Sequence, residues 1–524
     1  MKPAGFLQTL VFGVVGLATL CLFSASAAKA ATASDCANLV NLGIENTTIT
    51  SATLIPAGGG LPEYCRVRGH VDTEIGFEIR LPTNWNGKFY FQGVPALGGI
   101  IPPAGNRGLP LPPEQGLVRG YAVATTDTGH QGHPFDGSWA LNNPERQVNY
   151  GHRAVHVVTV AAKEVVHAFY GSGPKVSYFE GCSNGGRQGL MEAQRYPTDF
   201  NGIIAGAPVL DFTGRTMGSN WNAQALKLAP IPMSKVAMIA RAVLEECDAK
   251  DGLRDGLISD PRRCRFKPRR LQCPAGDGPD CLTREQVQTL RLIYAGPVNS
   301  EEDRIYPGSP QGHEDGVDGW PLWLTGNGMA PTLQFTLQDQ VLRFFIFGPS
   351  FDTLTFNFDT DRRRLAPAGE FLNATDPDLS AFRANGGKLI MWHGWADPAL
   401  TAFRSVQYFL EAADDLGRDI GTHGNDKDKE ISQFFRLFMA PGVHHCVGGP
   451  GPNAFDMLTP LENWVEDGIA PDRIIASHMT GNMVDRTRPL CPYPQEARYI
   501  GSGSIDDAAN FVCRRGHEDD DDEE

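Results

Sequence analysis

Hydrophobic and polar positions alternate over short runs in the first third of the chain, and each run ends in turn residues. IGFEIRLP (Ile75 to Pro82), KFYFQG (Lys88 to Gly93, after the turn NWNG) and YAVATTD (Tyr121 to Asp127) read as strands, and as neighbours in one sheet. The period then changes. AVHVVTVAAKEVVHAFYG (Ala154 to Gly171) places apolar residues at helical spacing and stops at a glycine, which predicts a helix. VSYFE returns to strand, and after GCSNG the segment RQGLMEAQRYP predicts a helix ended near Pro197. GIIAG (Gly202 to Gly206) predicts a further buried strand. Past Pro208 the pattern loosens, and strand signals return only at KLIMWHGWADP (Lys388 to Pro398) and FFRLFMAPGVHHC (Phe434 to Cys446). The expected organisation is a strand-helix core from residues 31–210 and 366–516, capped by an insertion, residues 211–365.

Composition supports a globular chain: 524 residues with 41% apolar and 20% charged are enough to bury a substantial core. Lys plus Arg number 46 against 61 Asp plus Glu, a formal charge of −15, which argues against nucleic acid or an anionic membrane as partner. Part of the excess is the run HEDDDDEE, residues 517–524, read as a solvated, disordered acidic tail. At the other end Lys2, the apolar stretch Phe6 to Phe23 and the small residues SASAAKAATA form an export signal, residues 1–30, with cleavage expected after Ala30. The mature protein is then secreted or periplasmic, and no other stretch is apolar for long enough to cross a bilayer.

Export makes the cysteines informative. Removing Cys21 with the signal from eleven leaves ten, an even number that suggests five disulfides. Sequence neighbours offer themselves as pairs: Cys36 with Cys65, Cys247 with Cys264, Cys273 with Cys281, Cys491 with Cys513. That leaves Cys182 and Cys446 for each other.

Gly181-Cys182-Ser183-Asn184-Gly185 is a G-x-S-x-G pentapeptide between a predicted strand and a predicted helix, the setting of a nucleophile elbow. There the serine hydroxyl is pushed out of the sheet and the next backbone NH, that of Asn184, is free to meet an oxyanion. A serine needs a histidine to take its proton and an acid to hold that histidine in the right tautomer. Asp397 follows one later strand, and His444 and His445 follow another, in the chain order of α/β-hydrolases. A Cys182–Cys446 bond selects between the histidines, because it brings Ser183 near His445, with His444 as a packing or hydrogen-bonding neighbour. Closing so long a loop contributes on the order of 4 to 5 kcal/mol on the chain-entropy model. Cys182 as nucleophile would need a reduced thiolate in an oxidising compartment. His130 and His393 fit structural or supporting roles.

A second constellation is CDAKDGLRDGLISD, Cys247 to Asp260. Asp248, Asp251 and Asp255 put three carboxylates in a glycine-bearing loop, with backbone carbonyls near Leu253 and Leu257 to complete a shell of hard oxygens suited to a structural Ca2+. The spacing D-x-x-D-G-x-x-D-G, without a distal bidentate Glu, is not that of an EF-hand.

With GCSNGG, HGWADP and HHCVGG together, the chain resembles the tannase and feruloyl esterase family of α/β-hydrolases, which includes mono(2-hydroxyethyl) terephthalate hydrolase. The resemblance runs from about Cys36 to Cys513 and implies a disulfide-rich α/β-hydrolase core with a large inserted lid domain and the five cysteine pairings above. It also implies Ser183, Asp397 and His445 as the catalytic set, and a lid calcium site at Asp248, Asp251, Leu253, Asp255 and Leu257. The chain departs from the family in one stretch: QGVPALGG, Gln92 to Gly99, stands where members carry a glycine-rich run that forms part of the oxyanion hole, so the second oxyanion donor is expected at or near Gly93. Trp320, Trp323, Phe344, Phe345 and Phe347 are available to line a planar acyl group. The implied function is a serine esterase acting on small-molecule or polymer-linked esters of aromatic acids, of hydroxycinnamoyl, galloyl or terephthaloyl type. The other function class open to this scaffold is a catalytically silent protein that binds an aromatic ligand or a wall polymer.

Overall fold

The computed structural model describes residues 32–101, 114–326, 331–421 and 425–516, so the expected export signal and acidic tail lie outside the described residues. Strands β1 (Thr47–Ile55), β2 (Tyr64–Val71), β3 (Ile75–Pro82), β4 (Lys88–Gln92), β5 (Ala122–Thr126), β6 (Val176–Cys182), β7 (Gly202–Gly206), β8 (Lys388–Gly394) and β9 (Phe435–Ala440) form one sheet. Their order is β1-β2-β3-β5-β4-β6-β7-β8-β9. The β1-β2-β3-β5 side is antiparallel, and from β5 through β9 every pairing is parallel.

Helices frame this sheet: α1 (Ala154–Tyr170), α2 (Asn184–Arg195), α3 (Phe212–Leu228), α4 (Met233–Cys247), α5 (Arg284–Ala295), α6 (Leu333–Val341), α7 (Ala402–Ile420) and α8 (Leu458–Asp467). The inner strands are buried almost throughout and mainly apolar, because both faces are covered. Phe89, Phe91, Ile203, Leu389 and Met391 pack with residues of α1, α2 and α7, whereas the alternate residues Tyr90, Ile204, Ile390 and Trp392 pack with Leu461 and Trp464 of α8. The two-residue period of a strand thus sorts one run of sequence into two cores.

The antiparallel edge shows why β1 has no strong sequence signal. TTITSATLI carries threonine and serine, and only Ile49 of the nine residues is fully buried. Two C-terminal hairpins, β10 (Ile474–Thr480) with β11 (Met483–Leu490) and β12 (Gln495–Tyr499) with β13 (Phe511–Arg515), are likewise polar and lie outside the main sheet.

Between β7 and β8 no strand joins the main sheet among the described residues. Regular structure is nevertheless more extensive there than the loosened pattern suggests, because α3 packs partly through amides. Asn220 Nδ2 donates to Gln338 Oε1 at 3.0 Å and to the Thr353 carbonyl at 2.6 Å, and Asn222 Nδ2 donates to Gln334 Oε1 at 3.1 Å. A helix whose buried residues include Thr213, Thr216, Ser219, Asn220 and Asn222 leaves no continuous apolar stripe to read. This segment has its own core, including Val236, Ile239, Leu290 and Trp320, with the disulfides Cys247–Cys264 and Cys273–Cys281 beside it. Cys36–Cys65, Cys182–Cys446 and Cys491–Cys513 complete five disulfides, the pairs suggested by the sequence.

Candidate active site

Strand β6 ends at Cys182 and α2 starts at Asn184, so Ser183 makes the whole turn. Its backbone sits at φ 63° and ψ −122°, a strained conformation for a residue with a side chain. The turn closes only because its neighbours lack one: a Cβ on Gly181 would lie 2.6 Å from the Gly185 carbonyl carbon, and one on Gly93 would lie 2.9 Å from the Gly185 Cα. The Ser183 amide donates to the Gly206 carbonyl on β7 at 2.9 Å, which holds the turn against the sheet. Below it the buried Arg187 guanidinium donates to Asn184 Oδ1, at 2.9 Å, and to the carbonyls of Gly151, Leu372 and Tyr150.

The loops after β8 and β9 bring two partners to the serine. Ser183 Oγ lies 2.9 Å from His445 Nε2, and His445 Nδ1 lies 2.7 Å from Asp397 Oδ2. An ionised carboxylate only accepts, so Nδ1 carries the proton and Nε2 is left to accept from the hydroxyl. Asp397 Oδ1 accepts the amides of Ala399 at 2.7 Å and Leu400 at 2.9 Å, and its Oδ2 also accepts from His393 Nε2 at 3.1 Å. His393 is oriented in turn by Ser405 Oγ, 2.7 Å from its Nδ1. Burial pushes the Asp397 carboxyl up, but the His445 and His393 imidazoles outweigh it and hold Asp397 well below the usual carboxylate range. The Cys182–Cys446 bond, with Cα atoms 6.1 Å apart, joins the immediate neighbours of Ser183 and His445.

His444 points the other way. Buried at 1% exposure, its Nε2 donates to the His313 carbonyl at 2.8 Å and its Nδ1 lies 3.3 Å from Asp318 Oδ1, so it ties the histidine loop to the segment between β7 and β8. Burial lowers its pKa, but the Asp318 carboxylate more than compensates and raises it above the usual histidine value. His130 stacks on Trp139 with ring centroids 3.8 Å apart, outside the serine chain of hydrogen bonds.

A cavity of about 240 Å³ opens over Ser183 and is lined by Gly93, Ala96, Asn184, Val209, Phe212, Arg215, Trp323, Leu333, Leu337, Val341 and Leu400, among others. Of the five aromatic residues the sequence offered, only Trp323 reaches it, edge-on to the His445 ring with centroids 4.9 Å apart. Trp320 is in the neighbouring core, Phe344 lies under Arg343, Phe345 packs on Trp139 and Tyr150, and Phe347 stacks on Phe351. Leu333, Leu337 and Val341 of α6 went unread because leucine and valine at helical spacing look like any helix core. Arg215 went unread because a single arginine in an irregular stretch carries no pattern.

Gly93 needs correcting as an oxyanion donor. Its amide donates to the Glu180 carbonyl at 2.8 Å, continuing the β4-β6 pairing, and is not free for a ligand. The Val94 amide is held by Gln188 Oε1 at 2.9 Å, and Pro95 has none. The next NH, that of Ala96, has no acceptor among the described residues, and Ala96 lines the cavity. Asn184 is the first residue of α2, where an amide has no partner within the helix.

Residues 61–514 match the family model for tannase and feruloyl esterase. The chain belongs to that family. It is 38% identical to an uncharacterized esterase of Xanthomonas campestris pv. campestris, over 95% of this chain and 94% of the relative. It is 34% identical to a mono(2-hydroxyethyl) terephthalate hydrolase of Piscinibacter sakaiensis, over 88% of this chain and 87% of the relative. The crystal structure of feruloyl esterase B from Aspergillus oryzae matches with a TM-score of 0.81 at 27% identity, covering 92% of this chain and all (100%) of that one. This member of the tannase and feruloyl esterase family is therefore a carboxylic ester hydrolase with an α/β-hydrolase fold, and the silent binding scaffold is set aside. No helix among the described residues is long and apolar enough to cross a membrane.

The acidic loop of this esterase lies at the end of α4. Asp248 accepts the Asp255 and Gly256 amides at 3.2 to 3.3 Å, Asp251 Oδ1 accepts the Leu253 amide at 2.9 Å, and Asp255 Oδ1 accepts the Leu257 amide at 3.1 Å. Asp255 Oδ2 also takes a hydrogen bond from Arg488 at 2.7 Å. Burial, and then the charge of neighbouring carboxylates, raises Asp248 and Asp251 above the usual range. The Leu253 and Leu257 carbonyls accept no hydrogen bond among the described residues. Carboxylates beside carbonyl oxygens that accept no hydrogen bond are a donor set of the right kind for a hard cation, although the Asp248, Asp251 and Asp255 oxygens do not all come within 4.8 Å of one another in this structure.

Proposed function

We propose that this esterase hydrolyses carboxylic esters of aromatic acids through a Ser183–His445–Asp397 triad and an acyl-enzyme. The observation that carries the reading is the hydrogen-bonded chain from Ser183 Oγ through His445 to a buried Asp397, placed on the wall of an apolar cavity. As Ser183 Oγ bonds to the ester carbonyl carbon, its proton passes to His445 Nε2 and the carbonyl electron pair moves to oxygen. The Asn184 and Ala96 amides receive that oxyanion. Collapse breaks the carbon–oxygen bond to the alcohol, which leaves with the proton from His445, and water repeats the sequence to release the acid. Asp397, kept ionised, holds the imidazole tautomer and balances the imidazolium.

The segment between β7 and β8 acts as a lid, supplying Trp323 and the α6 residues of the cavity wall, which suit a flat aromatic acyl group of feruloyl, galloyl or terephthaloyl type. The protein works outside the cytoplasm, a reading supported by five disulfides. Asp248, Asp251 and Asp255, with the Leu253 and Leu257 carbonyls, hold a Ca2+ that stabilises the lid and takes no part in the chemistry.

Turnover of methyl ferulate, methyl gallate and a terephthalate monoester tests the substrate class. Ser183→Ala should lower kcat by roughly a million-fold and abolish labelling by a fluorophosphonate, with the fold retained. An active, labelled Ser183→Ala protein refutes the triad, and exclusive turnover of aliphatic esters refutes the substrate class.

A further inference from the structure

Ala96, one of the two amides assigned to the oxyanion, is held in a conformation that its side chain disfavours. Its φ of 51° lies in the left-handed region, inside a turn closed by the Gly98 amide on the Pro95 carbonyl at 3.2 Å. A non-glycine residue stays there only where its surroundings fix it. Two contacts grip the peptide after Ala96: the Leu97 amide donates to the Pro134 carbonyl at 2.9 Å, and the Tyr150 hydroxyl donates to the Ala96 carbonyl at 2.9 Å.

Tyr150 is itself tightly held. It lies in a wide π-type turn, Asn149–Arg153, that leads into α1, a form that recurs at functional sites. At 1% exposure its ring is boxed by Trp139, Phe212 and Phe345, with the Arg187 guanidinium 5.0 Å from the ring centroid. Burial pushes the hydroxyl up to about 12, so it is a donor at neutral pH. The other oxyanion residue joins the same circuit. Asn184 Nδ2 donates to the Val94 carbonyl at 2.9 Å, Asn184 Oδ1 accepts from Arg187 Nε at 2.9 Å, and Arg187 donates on to the Tyr150 carbonyl at 3.1 Å. From Asn184 through Arg187 and Tyr150 to Ala96, and back along the chain to Val94, the hydrogen bonds close a ring. We propose that Tyr150 is a positioning residue that fixes the Ala96 amide relative to the Asn184 amide, so that both meet the oxyanion together. This rests on the oxyanion assignment in the mechanism above and deepens it.

Tyr150→Phe removes the hydroxyl and keeps the ring. It should lower kcat about tenfold to a hundredfold for the aromatic ester that the native chain turns over best, short of the roughly 10²- to 10³-fold lost when a donor is deleted outright. KM should hold, because the planar ester demands less of these donors than the tetrahedral state does. Inhibition separates this from a loss of packing. Trifluoroacetophenone, to which Ser183 Oγ adds as an oxyanion while its proton passes to His445, should weaken by the same factor as kcat, and planar acetophenone should bind as it does to the native chain. Unchanged kcat, or a loss shared equally by both ketones, overturns the proposal. Should Tyr150→Phe fail to fold, a crystal structure of the native chain with trifluoroacetophenone decides. The adduct oxygen should accept the Asn184 and Ala96 amides with the Tyr150 hydroxyl still on the Ala96 carbonyl, and a hydroxyl that has left that carbonyl overturns the proposal. An adduct oxygen away from the Ala96 amide overturns the oxyanion assignment itself, and the proposal with it.

Discussion

Cys182 and Cys446 form a disulfide across 264 residues of chain, and each is the immediate neighbour of one partner in the 2.9 Å contact between Ser183 and His445. The bond therefore fixes the elbow after β6 against the loop after β9. Replacing both cysteines with alanine should lower stability by about 4 kcal/mol, read as a shift in denaturant midpoint. Activity per folded molecule should fall as well, because the Ser183–His445 distance is no longer held. A variant with undiminished kcat would show that the sheet alone aligns the pair.

Asp397 accepts four hydrogen bonds and is held ionised, so its amide counterpart cannot keep the same network. Asp397→Asn should lower kcat roughly 10⁴-fold by favouring the wrong His445 tautomer. Circular dichroism should stay native, and KM for an aromatic ester should change little. A loss confined to KM would contradict the assigned role.

His444 links the histidine loop to the His313 carbonyl and Asp318, and its folded pKa is raised. For a histidine with a raised folded pKa the extra stability is fully present below the unfolded value, about 6.5, and is lost as pH rises through the folded value. The stability difference between the native chain and Asp318→Asn should therefore be larger at about pH 5 than at about pH 9. Chemical denaturation at both pH values measures it, and a difference that grows with pH contradicts the pairing.

The acidic loop at Asp248, Asp251 and Asp255 predicts metal-linked stability. Dialysis against a calcium chelator should lower Tm by roughly 2 °C or more, and added Ca2+ should restore it. Asp251→Asn should remove the response. A Tm independent of Ca2+ in the native chain would show that Arg488 and the loop amides satisfy the carboxylates without an ion.

Much of the core is legible along the chain because parallel strands covered on both faces read as continuous apolar runs, as in VSYFE, GIIAG and KLIMW. The half-exposed β1 and the amide-packed α3 are not legible, since neither concentrates apolar residues at a single period. The serine elbow can be read because its glycines are required by backbone contact, at Gly181 above all.

The sequence by itself determined the elbow and the order of serine, acid and histidine, and it suggested the cysteine pairs that the structure contains. Local residue type and spacing carry that information, because turn geometry and strand period act over a few residues. Only the tertiary structure decided that the Gly93 amide is taken by Glu180, that His393 shares Asp397 with His445, and that Arg215 meets Ser183 across one cavity. Those relationships join residues far apart in the chain, where the sheet register and the packing of the inserted helices, not local pattern, set who touches whom.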